Sequence, residues 1–260
     1  ASGLAYGNFL IQAPLGILSN SLILPLLPQF SKLRSKKDLR GLQKNLMSGI
    51  EYCFLTSIFL TGFFITFNNQ IVQFVFERGA FDYSATLKVK NILIAYAIGI
   101  PFYLYRDLLV RTYYSIEKTK FPFQLSLAGI ILNAFFDWFL IGAPIKNFEN
   151  LSPYNFGVVG IILSSGIVNF IVCILLALNL RNEDIHLPNL DLFKKIILMS
   201  LASFIDSRIC FTILKTTNKL NSNVEEFLLL IFGSLTFFVI YFLLTKFLNV
   251  NKFKIYQKKI

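Results

Sequence analysis

The chain has 260 residues, of which 55% are hydrophobic and 15% charged, and its mean hydropathy is +0.63. Soluble domains carry roughly a quarter charged residues, so this composition excludes an ordinary soluble fold, and apolar runs near the ~20 residues that cross a bilayer recur along the chain. A net charge of +11 would suit nucleic acid, but in a membrane protein basic residues mark the cytoplasmic side and anionic lipid, so membrane lipids and no nucleic acid are the expected partners.

Seven transmembrane helices are predicted, near 4–29, 47–67, 90–110, 122–142, 157–180, 195–214 and 224–245, which makes the fold an all-α polytopic membrane protein. The first holds Pro14, Pro25 and Pro28 and the third Pro101; such breaks are tolerated where neighbours or a cavity satisfy the freed backbone groups. Asn8 and Gln12 in the first span share a face by their four-residue spacing. They can line a substrate cavity or hydrogen-bond a neighbouring helix. Glu51 is placed in the first turn of the second span, where it favours the helix N-terminus and reaches the interface.

Between the second and third spans, "NNQIVQFVFERGAFDYSAT" is too short and polar to cross. Its "IVQFVF" part reads as an interfacial helix, with Glu77 and Arg78 facing water and Gly79 allowing a turn. Arg106 and Asp107 lie near the inner end of the third span, where Arg106 can snorkel or serve an inner gate. Asn133 and Asp137 share one face of the fourth span. A charged aspartate at mid-membrane costs roughly 2.5–3.5 kcal/mol. Three readings fit the pair: an interhelical hydrogen bond, contact with interfacial water, or oxygen ligands for a monovalent cation. In the sixth span Asp206 and Arg208 cannot face each other, and each needs another partner.

Cys53, Cys173 and Cys210 sit in apolar spans without metal-like spacing, and the lone His186 lies in a polar connection. No phosphate-binding loop, zinc-protease motif or nucleophile elbow is present, so no enzyme is expected. Connections 31–46, 111–121, 181–195 and the tail from Lys246 hold seventeen lysines and arginines against six in the opposite connections. That asymmetry places the C-terminus in the cytoplasm and the start of the chain outside. The chain opens at Ala1, without a basic flank or cleavage site of a signal peptide. The expectation is that it begins partway through a larger protein.

"FERGAFDYSAT", a span, and then "RTYYSIEKTKFP" resemble the outer and next inner loop of MurJ/MviN-type lipid II flippases. "QAPLGILSNSLILPLLPQFSKL" is similar to that family's eighth helix, and "ILNAFFDWFLIG" and "GVVGIILSSG" to its eleventh and twelfth. The resemblance covers roughly 2–180, and the last two spans match two appended helices in number and position only. It implies a MATE-like transporter of the MOP superfamily. Residues 1–185 would be its second lobe without the first helix, and 186–260 two appended helices and a basic tail. The implied activity, in peptidoglycan and cell-wall biogenesis and cell shape, is flipping lipid II across the bacterial plasma membrane by alternating access, with the missing N-terminal lobe as partner.

The cavity residues that the resemblance leaves here are Asn8, Gln12 and Arg106; the family's arginine in the eighth helix is replaced by Phe9. In sodium-binding relatives the residues matching Asn133 and Asp137 join a twelfth-helix carbonyl and hydroxyl, which here correspond to Ile161 and Ser165. An aspartate of the seventh helix, upstream of Ala1, would complete that Na+ site. No other cofactor is implied. Another MOP exporter, for drugs or polysaccharide repeats, and a non-transporting membrane scaffold are the alternative readings.

Overall fold

The computed structural model describes residues 2–77, 81, 83–142, 154, 156–185, 189–217 and 223–247. Among them the regular elements are all helices: α1 Ser2–Leu18, a π turn Ser19–Ile23, α2 Leu26–Ser35, α3 Leu39–Thr66, α4 Asn68–Phe76 and α5 Tyr83–Ser115. There follow α6 Lys120–Ile141, α7 Val158–Asn179, a 3-10 turn Leu180–Glu183, α8 Asn189–Thr217 and α9 Asn223–Phe247. Six of the described helical stretches are long and apolar enough to cross a membrane. The expected sixth span falls within α8, which is helical over all 29 of its residues.

The first span is irregular, as its prolines predict, but not at every proline. Pro14 sits inside α1. The winding changes at Ser19–Ile23, where the Leu24 N–H reaches the Ser19 carbonyl at 3.0 Å, five residues back. Pro25, which has no N–H to give, follows directly and caps α2.

α5 is the central helix and packs against α1, α3 and α7. Leu93, Leu104, Leu108 and Tyr113 are fully buried in it. The Tyr113 hydroxyl donates to the Leu176 carbonyl at 2.9 Å and accepts from Asn179 Nδ2 at 3.1 Å, which ties the inner ends of α5 and α7. At 33 residues α5 is about 50 Å long, more than the ~30 Å hydrocarbon core, so it extends past the predicted 90–110 at both ends.

Much of the connection expected at 31–46 is helical as well. Asp38 caps α3 by accepting from the Gly41 N–H at 2.8 Å, and Leu42, Leu46 and Ile50, four apart, are fully buried. This corrects the reading of Glu51. It lies three turns inside α3, far from any helix terminus, and pairs with Lys195 of α8.

The short helix α4 forms as expected, with Ile71 and Val72 buried. Glu77 is half-buried and accepts from the Thr86 hydroxyl at 2.8 Å instead of facing water. Arg78, Gly79 and His186 lie outside the described residues. α6 and α7 form a hairpin in which Gly160 is required: a Cβ there would sit 2.7 Å from the Leu140 carbonyl oxygen.

α8 packs on α3, and α9 on α8 and α4. Phe59, Phe63, Phe67 and Phe237 stack in a run at ring spacings of 5.2 to 6.3 Å, and the Tyr241 hydroxyl donates to the Leu55 carbonyl at 2.9 Å. α3 and α8 run parallel, with Glu51 level with Lys195 and Gly62 against Ser203.

Candidate functional site

Exposed apolar side chains surround most of α6, among them Ile130, Ile131, Phe135 and Trp138. Asn133 and Asp137 occupy its other face, against α7, because residues four apart on a helix stack on one side. Asn133 Nδ2 reaches Ser165 Oγ at 3.4 Å. Ser164, which is fully buried, donates to Asp137 Oδ1 and also stands 3.5 Å from Asn133 Oδ1 and 2.8 Å from the Ile161 carbonyl. Ser165 Oγ lies 3.2 Å from the same carbonyl. All four residues named from the sequence therefore meet, and Ser164 joins them.

Counting protons against lone pairs shows what this cluster can do. Two hydroxyls and one amide supply four hydrogens, while two carboxylate oxygens, an amide oxygen, a backbone carbonyl and the two hydroxyl oxygens offer more acceptor sites than that. Every acceptor is a hard oxygen, which suits a hard cation and not a soft metal. Among the described residues no group of three or more His, Cys, Asp or Glu gathers.

A cleft of about 160 Å³ opens beside this cluster between α1, α5 and α7. Its polar lining is Asn8 and Gln12 from α1, Tyr96 and Tyr103 from α5, and Ser165 and Asn169 from α7. Asn8 and Gln12 thus do share one wall. Arg106 stands behind it: its Nη1 donates to Asn169 Oδ1 at 2.9 Å, so the guanidinium reaches the cleft through an asparagine. Phe9 is exposed on the outer side of α1. Ser165 belongs to both the cleft and the oxygen cluster, which makes them one continuous polar seam.

A third polar group fixes the bend of the first span to α5. Ser19 Oγ donates to Asp107 Oδ2 at 2.5 Å. Arg111 donates through Nε to Asp107 Oδ1 at 3.0 Å and through Nη2 to Ser19 Oγ at 3.0 Å. π turns occur frequently at functional sites, and here the turn begins at the residue held.

The sequence reading missed Ser164, Asn169 and Ser19. The first two were accessible. Ile161, Ser165 and Asn169 repeat every four residues, and Ser164 is three from Ile161, so all lie on adjoining strips of one helix. Ser19 carried no signal, since its partner lies 88 positions away.

Comparison with known proteins identifies the family. The family model described as lipid II flippase MurJ matches residues 1–248. A probable lipid II flippase MurJ from Synechocystis is 39% identical over 169 residues, which cover 65% of this chain and 30% of that protein. One from Rickettsia prowazekii is 31% identical over 130 residues, covering 50% of this chain and 26% of that one. A solved structure of lipid II flippase MurJ in an inward closed conformation superposes with a TM-score of 0.67 at 26% identity, over 95% of this chain and 46% of that chain. The chain thus spans less than half the length of each of these relatives.

Proposed function

We propose, from the premise that this chain belongs to the lipid II flippase MurJ family, that it supplies the second lobe of a transporter carrying lipid-linked peptidoglycan precursor across the bacterial plasma membrane. It is a multi-pass membrane protein of that family. The reading rests above all on the continuous polar seam of Asn8, Gln12, Asn169 and Ser165 in a helix bundle that otherwise faces lipid. A disaccharide-peptide-pyrophosphate head cannot enter hydrocarbon unaided. It needs a wall of amides, hydroxyls and cationic groups while its polyprenyl tail stays in lipid. Asn8 and Gln12 offer amides to sugar and peptide, and Arg106, held by Asn169, offers cationic charge to the pyrophosphate.

In this proposal a first lobe closes the opposite wall of the cavity, and the two lobes rock to expose it to each side in turn. No chemical bond is made or broken, so the protein is a transporter and not an enzyme. Asn133, Asp137, Ser164, Ser165 and the Ile161 carbonyl would hold a sodium ion, which supplies positive charge against Asp137. Residues 1–185 make the lobe and 186–260 the appended helices and tail. The charge asymmetry puts the inner ends of α2, α5 and α7 in the cytoplasm and the start of α1 outside.

The test is rescue of cells depleted of their flippase by this chain co-expressed with a first lobe. Growth is expected with the natural chain and not with Arg106→Leu or Gln12→Leu variants that insert normally. Equal rescue by both variants would remove the cleft from the pathway. Orientation has its own measurement. Cys53, Cys173 and Cys210 are buried, so a cysteine placed at Lys37 should label only from the cytoplasm and one at Tyr83 only from outside. The reverse pattern overturns the topology.

A further inference from the structure

On the side of α3 away from the polar seam, a groove of about 500 Å³ runs between α3, α5 and α8. It is lined by Ile58, Thr61 and Ile65 from α3, Pro101 from α5, and Phe204 and Arg208 from α8, with Ser200, Ser203 and Ser207 along the α8 wall. Most of this surface is apolar. Ser203 touches α3 at Gly62, where an added Cβ would sit 2.0 Å from Ser203 Oγ, and its hydroxyl donates to the Ile58 carbonyl at 3.3 Å. Because α3 and α8 are parallel, the Ser200 and Pro101 level is one end of the groove and the Arg208 and Thr66 level the other, about 12 Å away along α8.

Arg208 is exposed, and among the described residues its guanidinium has no hydrogen-bond or ion-pair partner. Asp206 is buried on the opposite side of α8, where Cys210 Sγ lies 3.7 Å from its Oδ1. The helix runs about 14 Å past Arg208 to Thr217, so the charge is well inside the helical span. Arg208 is also level with Thr66, the last residue of α3, and so stands where a span meets the headgroup region and lipid phosphates lie. Ser207, beside it in the groove lining, has a hydroxyl equally without a partner among the described residues. A fork of guanidinium donors next to a free hydroxyl matches a phosphate diester. The apolar remainder of the groove matches an acyl chain.

We propose that this groove is a binding site for an anionic phospholipid of the surrounding bilayer, with its phosphate at Arg208 and Ser207 and one acyl chain along Ile58, Phe204 and Pro101. The occupant sits between α3 and α8, so it reinforces the docking of α8 on the lobe. The site is separate from the transport cleft and does not depend on what the cleft carries.

The test uses the whole chain in neutral detergent, titrated with fluorescent phosphatidylglycerol and with phosphatidylcholine of the same chains. Phosphatidylglycerol should bind more tightly, and Arg208→Gln should weaken it roughly tenfold without changing phosphatidylcholine, as expected for one lost charge-assisted contact. Arg208→Lys should keep the preference, and Ser207→Ala should weaken it by a smaller factor. Ser200→Phe, which fills the apolar end and leaves the charge in place, should also displace the lipid. The proposal fails if the two lipids bind alike or if Arg208→Gln changes nothing. It fails equally if Ser200→Phe leaves binding intact, because Arg208 is then a bare interfacial charge. Binding of a polyprenyl diphosphate but not phosphatidylglycerol would replace the occupant by the substrate class and overturn the proposal.

Discussion

The two flanks of α5 solve the problem of polar groups in a membrane in opposite ways. On the α1, α6 and α7 side, polar side chains answer one another across helices: Arg106 with Asn169, Asn133 and Asp137 with Ser164 and Ser165, Ser19 with Asp107 and Arg111. On the α3, α8 and α9 side, packing is carried by aromatic rings and close backbone approach, with one cross-helix ion pair among the described residues, at Glu51 and Lys195. The first flank offers hydrogen-bonding capacity to a ligand and the second offers area to a neighbour. Substitutions should therefore separate cleanly, with transport lost on one side and stability on the other.

The largest effect should come from Asp137→Ala in the protein with both lobes. Removing a carboxylate that accepts a buried serine should lower flipping by roughly tenfold to a hundredfold, the range for a charged hydrogen bond worth about 1.5–3 kcal/mol. The response to sodium, with potassium replacing it at equal ionic strength, should disappear. Identical sodium responses in both proteins reduce the cluster to a structural contact.

Gly62→Val should act on the other flank. Its side chain would enter the space of Ser203 and Phe237, an overpacking cost of about 1–3 kcal/mol. Thermal unfolding should show a lower Tm, with transport per folded molecule little changed. A variant that loses transport at unchanged Tm would break the division between flanks.

Glu51→Gln should give the smallest effect. Glu51 and Lys195 keep 22% and 29% of their side-chain surface, so solvent screens the pair and its loss should cost about 0.5–1 kcal/mol. A double-mutant cycle with Lys195→Met measures the coupling directly. A coupling near zero would leave α8 held by the Gly62–Ser203 contact and α9 by the aromatic run and the Tyr241 hydrogen bond.

The same division explains what the sequence disclosed. Spans follow from apolar length, and the four-residue spacing of Asn133 and Asp137 or Asn8 and Gln12 places each pair on a face without knowledge of the fold. Helix ends were harder. The segment before Met47 reads as a charged loop because its lysines and arginines outnumber Leu42 and Leu46, which are fully buried in the folded chain. That misplaced end produced the wrong role for Glu51. Partners between distant helices were illegible for a different reason: nothing at Arg106 specifies Asn169, and nothing at Ser19 specifies Asp107. The tail beyond Phe247, which carries four of the counted basic residues, lies outside the described residues.

The π turn of the first span also sets the phase of everything that follows it. Ile11 and Leu15 are buried, and so are Ile23 and Phe30. At about 100° per residue, an unbroken helix starting from Ile11 would carry Ile23 and Phe30 round by about 120° and 100°, off the buried side. One extra residue in the winding subtracts about 100° and returns them to about 20° and 0°, in line with Ile11 and Leu15. The turn is therefore a vernier. It lets α1 keep Asn8 and Gln12 on the cleft while α2 delivers Phe30 to the core. A single-residue deletion between Ser19 and Ile23 should leave an unbroken winding in the same phase, whereas a single-residue insertion there should throw the two halves out of step.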